Sequence, residues 1–284
     1  MDASSRAATS AFPRLGKRSF ICFQSLEKAS PFASFSLQWR KLCMQPEVQS
    51  LNHGRMAYVA HIAPYVLWVT IMIGLDVPQI KPAMRYTMQT ILCTLLLLAV
   101  RPWRWYAPLR VRHLPLALGV GLVVFAIWVV PETPWMQTHC PSFHNFYMSY
   151  LAVQPWSGAP ALPKVWPFAP ETCGWPLVAI KLFGTSVTIA ACEELFWRSF
   201  IYRWMLGGKF WQVDLGQFHP FIFLTVNIVF GFEHTQWFAG ILAGLAFGWV
   251  LLRTRDLWAA IITHGITNYL LGIYIVATGD YHFW

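Results

Sequence analysis

Charged side chains are scarce in this chain of 284 residues, and their scarcity excludes most soluble folds. Asp, Glu, Lys and Arg together make up 12% of the sequence, whereas a soluble domain of this size carries about 25%. Hydrophobic residues account for 56%. Such a composition predicts a membrane protein with several spans, for which the lipid bilayer is the first partner.

Two further absences concern metal and redox chemistry. The six cysteines form no CxxC pair and the sequence contains no HExxH, so neither a redox motif nor the common zinc-protease motif is indicated. Acidic residues are also few, since 12 Asp and Glu stand against 21 Lys and Arg. The basic residues lie mostly between apolar runs, where they orient membrane helices, and we expect no nucleic acid as a partner.

Seven apolar runs follow a polar, basic segment at residues 1–55. We expect this segment to be either a disordered extension or a targeting or regulatory tail, with Met44 and Met56 as alternative starts. Each run predicts a helix, because lipid offers no partners to an open backbone. The fold prediction is an all-α, polytopic membrane helix bundle of about seven transmembrane helices at 56–284, with a long outer loop. The runs cover 57–75, 86–100, 114–130, 175–206, 218–232, 237–252 and 257–277, and the loop covers 131–174.

The basic residues also predict an orientation. With the N-terminus in the cytosol, the outer side carries only Lys81, Arg85 and Lys164, with Lys181 near the outer end of the fourth run. The chain is therefore expected to be a multi-pass integral membrane protein with its C-terminus outside. Cys140 and Cys173 then share the outer loop. In an oxidising periplasm they are expected to form a disulfide, with two free thiols as the alternative.

Three stretches inside the apolar runs carry polar side chains that are expensive to place in a membrane. In the first, Glu194 and Arg198 are four residues apart, so they share a helix face and are expected to form an ion pair. Glu193 points elsewhere and is left without a partner. A carboxylate of this kind suits a general base, although both glutamates could also serve only as partners of neighbouring helices.

The other two stretches supply possible partners for that base. His264 and Asn268 are four residues apart on the last run, and both can donate hydrogen bonds to an oxyanion or simply to another helix. His234 is a candidate to hold a water molecule against Glu193. To reach it, we expect the fifth helix to begin near Leu224 and to meet the sixth in a turn at mid-depth.

The spacings Glu193-Glu194-x-x-x-Arg198, Phe230-x-x-x-His234 and His264-x-x-x-Asn268 occur in this order. They resemble the three motifs of the CAAX prenyl protease and bacteriocin-processing family, also called the Abi, CPBP or type II CAAX protease family. The resemblance covers roughly residues 175–277. It implies an intramembrane endopeptidase of the glutamate type that works without a metal or other cofactor on a membrane-associated peptide or protein.

The resemblance also implies a role for each motif residue. Glu193 and His234 would activate water, His264 and Asn268 would form the oxyanion hole, and Glu194 with Arg198 would support the geometry. The short chain with basic cytosolic loops resembles a bacterial member, which places it in the inner membrane. Bacteria generally lack prenylated CAAX proteins, so the substrate stays open.

Two other functions fit the same residues. Two glutamates and two histidines could bind zinc in a membrane hydrolase. A non-catalytic membrane scaffold or immunity protein could keep the motifs as structural polar pairs. The sixth run also carries Gly240, Gly244 and Gly248 at four-residue spacing, which predicts a face for close helix packing.

Overall fold

The computed structural model describes residues 46–77, 79–154, 156 and 165–284, with side chains from His53 onward. Most of the basic N-terminal segment lies outside the described residues, as does Lys164. The first helix begins at Pro46, so it takes up the last part of the segment 1–55. Residues 50–284 form one unit.

The described part of the chain is helical and contains no strand, which confirms the all-α prediction. Within the described residues, six helices are long and apolar enough to cross a membrane, so the protein is a multi-pass integral membrane protein. The helices in chain order are α1 Pro46–Gly74, α2 Pro82–Val100, α3 Leu114–Val129, α4 Pro134–His139, α5 Pro141–Tyr150, α6 Pro170–Cys173, α7 Trp175–Leu206, α8 Pro220–Gly231, α9 Trp237–Thr254 and α10 Leu257–Thr278.

The fifth apolar run differs from the prediction. Helix α8 has only 12 residues and is roughly 18 Å long, whereas a span needs about 20 residues. It begins at Pro220 rather than near Leu224, because proline is favoured in the first turn and His219 caps the backbone N–H of Ile222 at 3.4 Å. The predicted turn between the fifth and sixth helices is confirmed, and it holds His234 at residues 232–236.

Helix α7 is not a regular α-helix. Residues Gly184–Ile189 and Glu194–Ile201 form two π-helical segments, separated by one α-helical turn at Ala190–Glu193. Gly184 permits the first segment to lie against α2, because a Cβ atom there would be 2.8 Å from the Tyr86 hydroxyl. Such wide turns are frequent at functional sites. Here Glu193 is the last residue before the second π-helical segment and Glu194 is its first residue.

Helix α8 packs closely against the face of α9 that carries Gly240 and Gly244. A Cβ atom at Gly240 would be 2.9 Å from the carbonyl oxygen of Gly231, and one at Gly244 would be 2.9 Å from the Phe230 ring. The close-packing role predicted from the four-residue spacing is therefore confirmed. Helix α10 packs along both α3 and α9, so it lies next to the pair of helices formed by α8 and α9.

The described part of the loop at 131–174 contains α4, α5 and α6, and the segment after α5 contacts the turn at His234. The Gln154 side chain donates hydrogen bonds to the carbonyl oxygens of Phe232, at 2.7 Å, and His234, at 2.9 Å. The predicted disulfide is wrong, since Cys140 and Cys173 are both free thiols. Cys140 is exposed at the junction of α4 and α5, whereas the Cys173 thiol donates to the carbonyl of Gly174 at the end of α6.

Candidate active site

The ion pair expected from the spacing on α7 is present. The Glu194 carboxylate is fully buried, and its Oε1 lies 3.2 Å from Nη1 of Arg198. The same oxygen lies 3.0 Å from Nδ1 of His264 on α10. Glu194 therefore joins a cation on its own helix to a histidine 70 residues further along the chain.

Arg198 also contacts helices α8 and α9. Its Nη2 donates to the carbonyl oxygen of Gly244 at 3.2 Å and to Oδ1 of Asn227 at 3.4 Å. Its guanidinium carbon lies 3.9 Å from the centroid of the Phe230 ring. These contacts reach α8 and α9, so a single buried cation holds three helices around Glu194.

Glu193 occupies the position expected of a general base. Its Oε2 is buried and has no hydrogen-bond partner among the described residues. The nearest polar group in an ion-pair geometry is Nε2 of His264, 3.8 Å from that oxygen. The side chain lines a cavity of about 250 Å³, so a water molecule can reach the carboxylate.

His264 lies between the two glutamates. Its Nδ1 faces Glu194, which already pairs with Arg198, so this nitrogen carries a proton and donates. Its Nε2 faces Glu193, and Phe247 stacks on the ring with centroids 4.6 Å apart. A proton on Nε2 would make an imidazolium with a carboxylate on each side. The two glutamates, the guanidinium and this imidazolium would then sum to zero charge, which favours burial.

His234 is held in the turn between α8 and α9. Its Nδ1 donates to the carbonyl oxygen of Phe230 at 3.1 Å, so the lone pair is on Nε2. The rings of Phe230 and Trp128 lie with centroids 4.9 and 5.5 Å from the imidazole and fix its plane. His234 lines the same cavity as Glu193, and its Nε2 can accept a hydrogen bond from a water there.

Asn268 lies one turn beyond His264 on α10 and also lines the cavity. Its Nδ2 donates to the carbonyl oxygen of Thr185, in the first π-helical segment of α7, at 2.9 Å. One amide hydrogen is therefore used to hold the side chain, and the second remains for a ligand. The structure thus brings all six predicted site residues together, with Glu194 and Arg198 behind the cavity wall.

Two charged residues near the site had no predicted role. Glu233 accepts a hydrogen bond from Nε1 of Trp197 at 2.8 Å and another from the Tyr65 hydroxyl. Lys181 lies on α7 and lines the cavity with Glu193. The sequence does contain a signal for Lys181, since it is a lone lysine inside an apolar run, but its charge was interpreted only as an orientation signal.

The remaining cavity wall is partly aromatic and includes residues 282–284. It is formed in part by Trp128, Phe230, Phe247, His282, Phe283 and Trp284. No three His, Cys, Asp or Glu side chains converge as ligands for one metal ion in the part of the chain that the structure describes. Lys181, His282 and Gln236 add polar groups to this wall. The Glu193 carboxylate, the imidazoles of His234 and His264 and the Asn268 amide together can accept and donate protons to one substrate bond.

A family model matches the part of the chain that contains this site. Residues 175–270 match the model of the Rce1-like family, described as type II CAAX prenyl endopeptidase Rce1-like. The matched range contains all six site residues. No curated protein and no solved structure matches the chain. The resemblance predicted from the three motifs is therefore confirmed, since residues 175–270 of this chain are similar to the Rce1-like family of type II CAAX prenyl endopeptidases.

Proposed function

We propose that the chain is an intramembrane endopeptidase that hydrolyses a peptide bond of a membrane-associated peptide or protein with a water molecule activated by Glu193 and His234. The observation that carries this proposal is the buried Glu193 oxygen without a hydrogen-bond partner in the described part of the chain. The Glu193 side chain lines a cavity of about 250 Å³ that is also lined by His234, His264 and Asn268. The family match supports a peptidase but leaves the substrate open.

The reaction begins with a water molecule between Glu193 and His234. The Glu193 carboxylate takes one proton from the water, and Nε2 of His234 accepts a hydrogen bond from the other. The hydroxide oxygen attacks the carbonyl carbon and makes a tetrahedral intermediate. When that intermediate collapses, the C–N bond breaks, and the proton on Glu193 moves to the leaving nitrogen.

The oxyanion is stabilised by His264 and Asn268. Nε2 of His264 lies 3.8 Å from the Glu193 carboxylate, and the proposed mechanism requires a proton on this nitrogen. When Glu193 takes the proton from water, that negative charge is lost and reappears on the substrate oxygen. His264 and the free amide hydrogen of Asn268 can then donate to the oxyanion, so the interaction strengthens during the reaction.

His264→Ala and Asn268→Ala are each expected to lower kcat by about 10²–10³, the usual effect of one lost oxyanion donor. KM should change little, because the donors act on the intermediate. Steady-state kinetics on one peptide checks this. Tyr269→Ala is the control on the same helix, since that side chain is 48% exposed. An effect confined to KM would show that this face of α10 only binds substrate.

The test of the proposed function is cleavage of a peptide library by the purified protein in phosphatidylcholine vesicles. We propose metal-free chemistry, so cleavage is expected to persist in the presence of EDTA or 1,10-phenanthroline. Loss of cleavage with chelator and its return with added zinc would support a metallohydrolase instead. Absence of any cleavage across a library of membrane-anchored and free peptides would contradict a peptidase.

The proposed setting is a bacterial inner membrane with the N-terminus in the cytosol and the C-terminus outside. The exposed thiol of Cys140 reports this orientation, because it lies between α4 and α5 in the outer loop. A membrane-impermeant thiol reagent added to intact cells is expected to label it. Labelling that requires access from the cytosol would reverse the orientation.

A further inference from the structure

Lys181 is a buried lysine in the wall of the cavity that contains Glu193. The residue is only 8% exposed, although it lies six positions after the start of α7. Its ammonium nitrogen lies 4.0 Å from the centroid of the Tyr86 ring, 4.5 Å from that of Phe168 and 5.8 Å from that of Trp284. These rings come from α2, the end of the outer loop and the C-terminal residues, so three separate parts of the chain surround one ammonium group.

The rings leave the hydrogen-bonding capacity of this group unused. Ring faces attract a cation, but the ammonium group has three N–H donors that call for oxygen acceptors. No carboxylate lies within ion-pair distance of Lys181 among the described residues. Buried charges in proteins are nearly always paired, and a lysine that served only the membrane surface would extend to the headgroups. Here the side chain instead lines the cavity that contains Glu193.

We propose that Lys181 and its aromatic cage form a subsite that binds a carboxylate of the peptide substrate. This inference rests on the proposed peptidase function. A carboxylate supplies the missing acceptors and neutralises the charge, and the rings exclude water from the pair. It can come from the C-terminus of the peptide or from an Asp or Glu side chain, and both present the same two oxygens.

The subsite also limits which bond is cut. Lys181 and Glu193 are twelve residues apart on one helix, which is roughly 18 Å along its axis, and an extended peptide spans about 3.5 Å per residue. A carboxylate held at Lys181 therefore lies within about five residues of the bond that Glu193 attacks. The cleaved fragment on that side of the bond should be a short peptide that ends in, or contains, the bound carboxylate.

The experiment uses the best-cleaved library peptide that contains no Asp or Glu, in three forms. The first has a free C-terminal carboxylate, the second a C-terminal amide, and the third a C-terminal amide with glutamate as its last residue. With wild-type protein, the amide is expected to have a kcat/KM about 10- to 100-fold lower than the free acid, mainly through KM. Recovery with the glutamate form shows that any nearby carboxylate is accepted, whereas no recovery assigns the subsite to the C-terminus.

Three variants test whether Lys181 causes the preference for the free acid over the amide. Lys181→Met is expected to bring the ratio of free acid to amide close to one, while Lys181→Arg keeps a preference for the acid. Lys81→Met is the control, since Lys81 is an exposed lysine just before α2 and should keep the full ratio. A wild-type ratio near one would overturn the proposal without any variant, as would an undiminished ratio in a folded Lys181→Met protein.

Binding to the Glu193→Gln protein tests the subsite apart from catalysis. A fluorescently labelled peptide with a free carboxylate is expected to bind about 10- to 100-fold more tightly than its amide. If the wild-type protein cleaved nothing but this difference persisted, the peptidase function would fail and the subsite would stand. If cleavage occurred and both forms bound equally, the subsite would fail alone.

Discussion

Replacing Glu193 with glutamine is expected to lower kcat for peptide cleavage by about 10⁴, the upper end of the range for a lost general base. Glutamine keeps the size and shape of the side chain but cannot take a proton from water. Oε2 of Glu193 is buried and without a hydrogen-bond partner in the described region, so the substitution breaks no hydrogen bond of that oxygen and the protein should still fold. Single-turnover cleavage, followed by mass spectrometry of the products, measures the loss.

Glu171→Gln is the matched control, because Glu171 is exposed in the first turn of α6. It should cleave at the wild-type rate. The Glu193→Gln protein should reach the membrane and elute from size exclusion like the wild type. Wild-type turnover in Glu193→Gln would remove this residue from the mechanism. A membrane scaffold, in contrast, would keep its function in the variant.

Arg198→Ala is expected to lower the free energy of unfolding by about 3–5 kcal/mol, the usual effect of leaving a buried charge without its partner. The Glu194 carboxylate is 0% exposed and, among the described residues, would keep only the His264 imidazole as a hydrogen-bond partner. The variant also loses the hydrogen bonds to Gly244 and Asn227, so α8 and α9 lose an anchor. Unfolding by SDS in mixed micelles measures the change.

The double variant Glu194→Gln, Arg198→Ala should recover part of that loss, because no carboxylate is then left uncompensated. Recovery stays incomplete, since the contacts of Arg198 with α8 and α9 remain absent. Arg253→Ala is the control, as Arg253 is exposed in the last turn of α9. A double variant as unstable as the sum of its two single variants would show that the ion pair contributes nothing.

Local spacing was enough to predict much of the site. The pair Glu194 and Arg198 follows from the geometry of one helical turn, and the polar character of Glu193 in an apolar run already marks it as exceptional. The contact of Glu194 with His264 is different, because it joins residues 70 positions apart and depends on how α10 packs beside α7. No periodicity in either helix contains that information.

The errors have a similar origin. The fifth apolar run is almost long enough for a span by composition, but Pro220 and the turn after Gly231 limit the helix to 12 residues. The disulfide prediction considered only the compartment and the number of cysteines. The distance between two thiols is set by α4, α5 and α6, whose packing the loop sequence does not show. The cage around Lys181 needs rings from three distant parts of the chain, so charge counting alone could not find it.

The first π-helical segment sets the angular phase of α7. In a regular α-helix, side chains advance by about 100° per residue, so Lys181 and Glu193 would project about 120° apart and could not both face one cavity. A π turn accommodates one additional residue, which takes back about 100° and leaves an offset of roughly 20°. Gly184–Ile189 lies between the two residues, so this wide turn aligns them along one side of α7. The carboxylate in the middle of the helix and the lysine near its start are thereby aligned by an irregularity in the backbone between them.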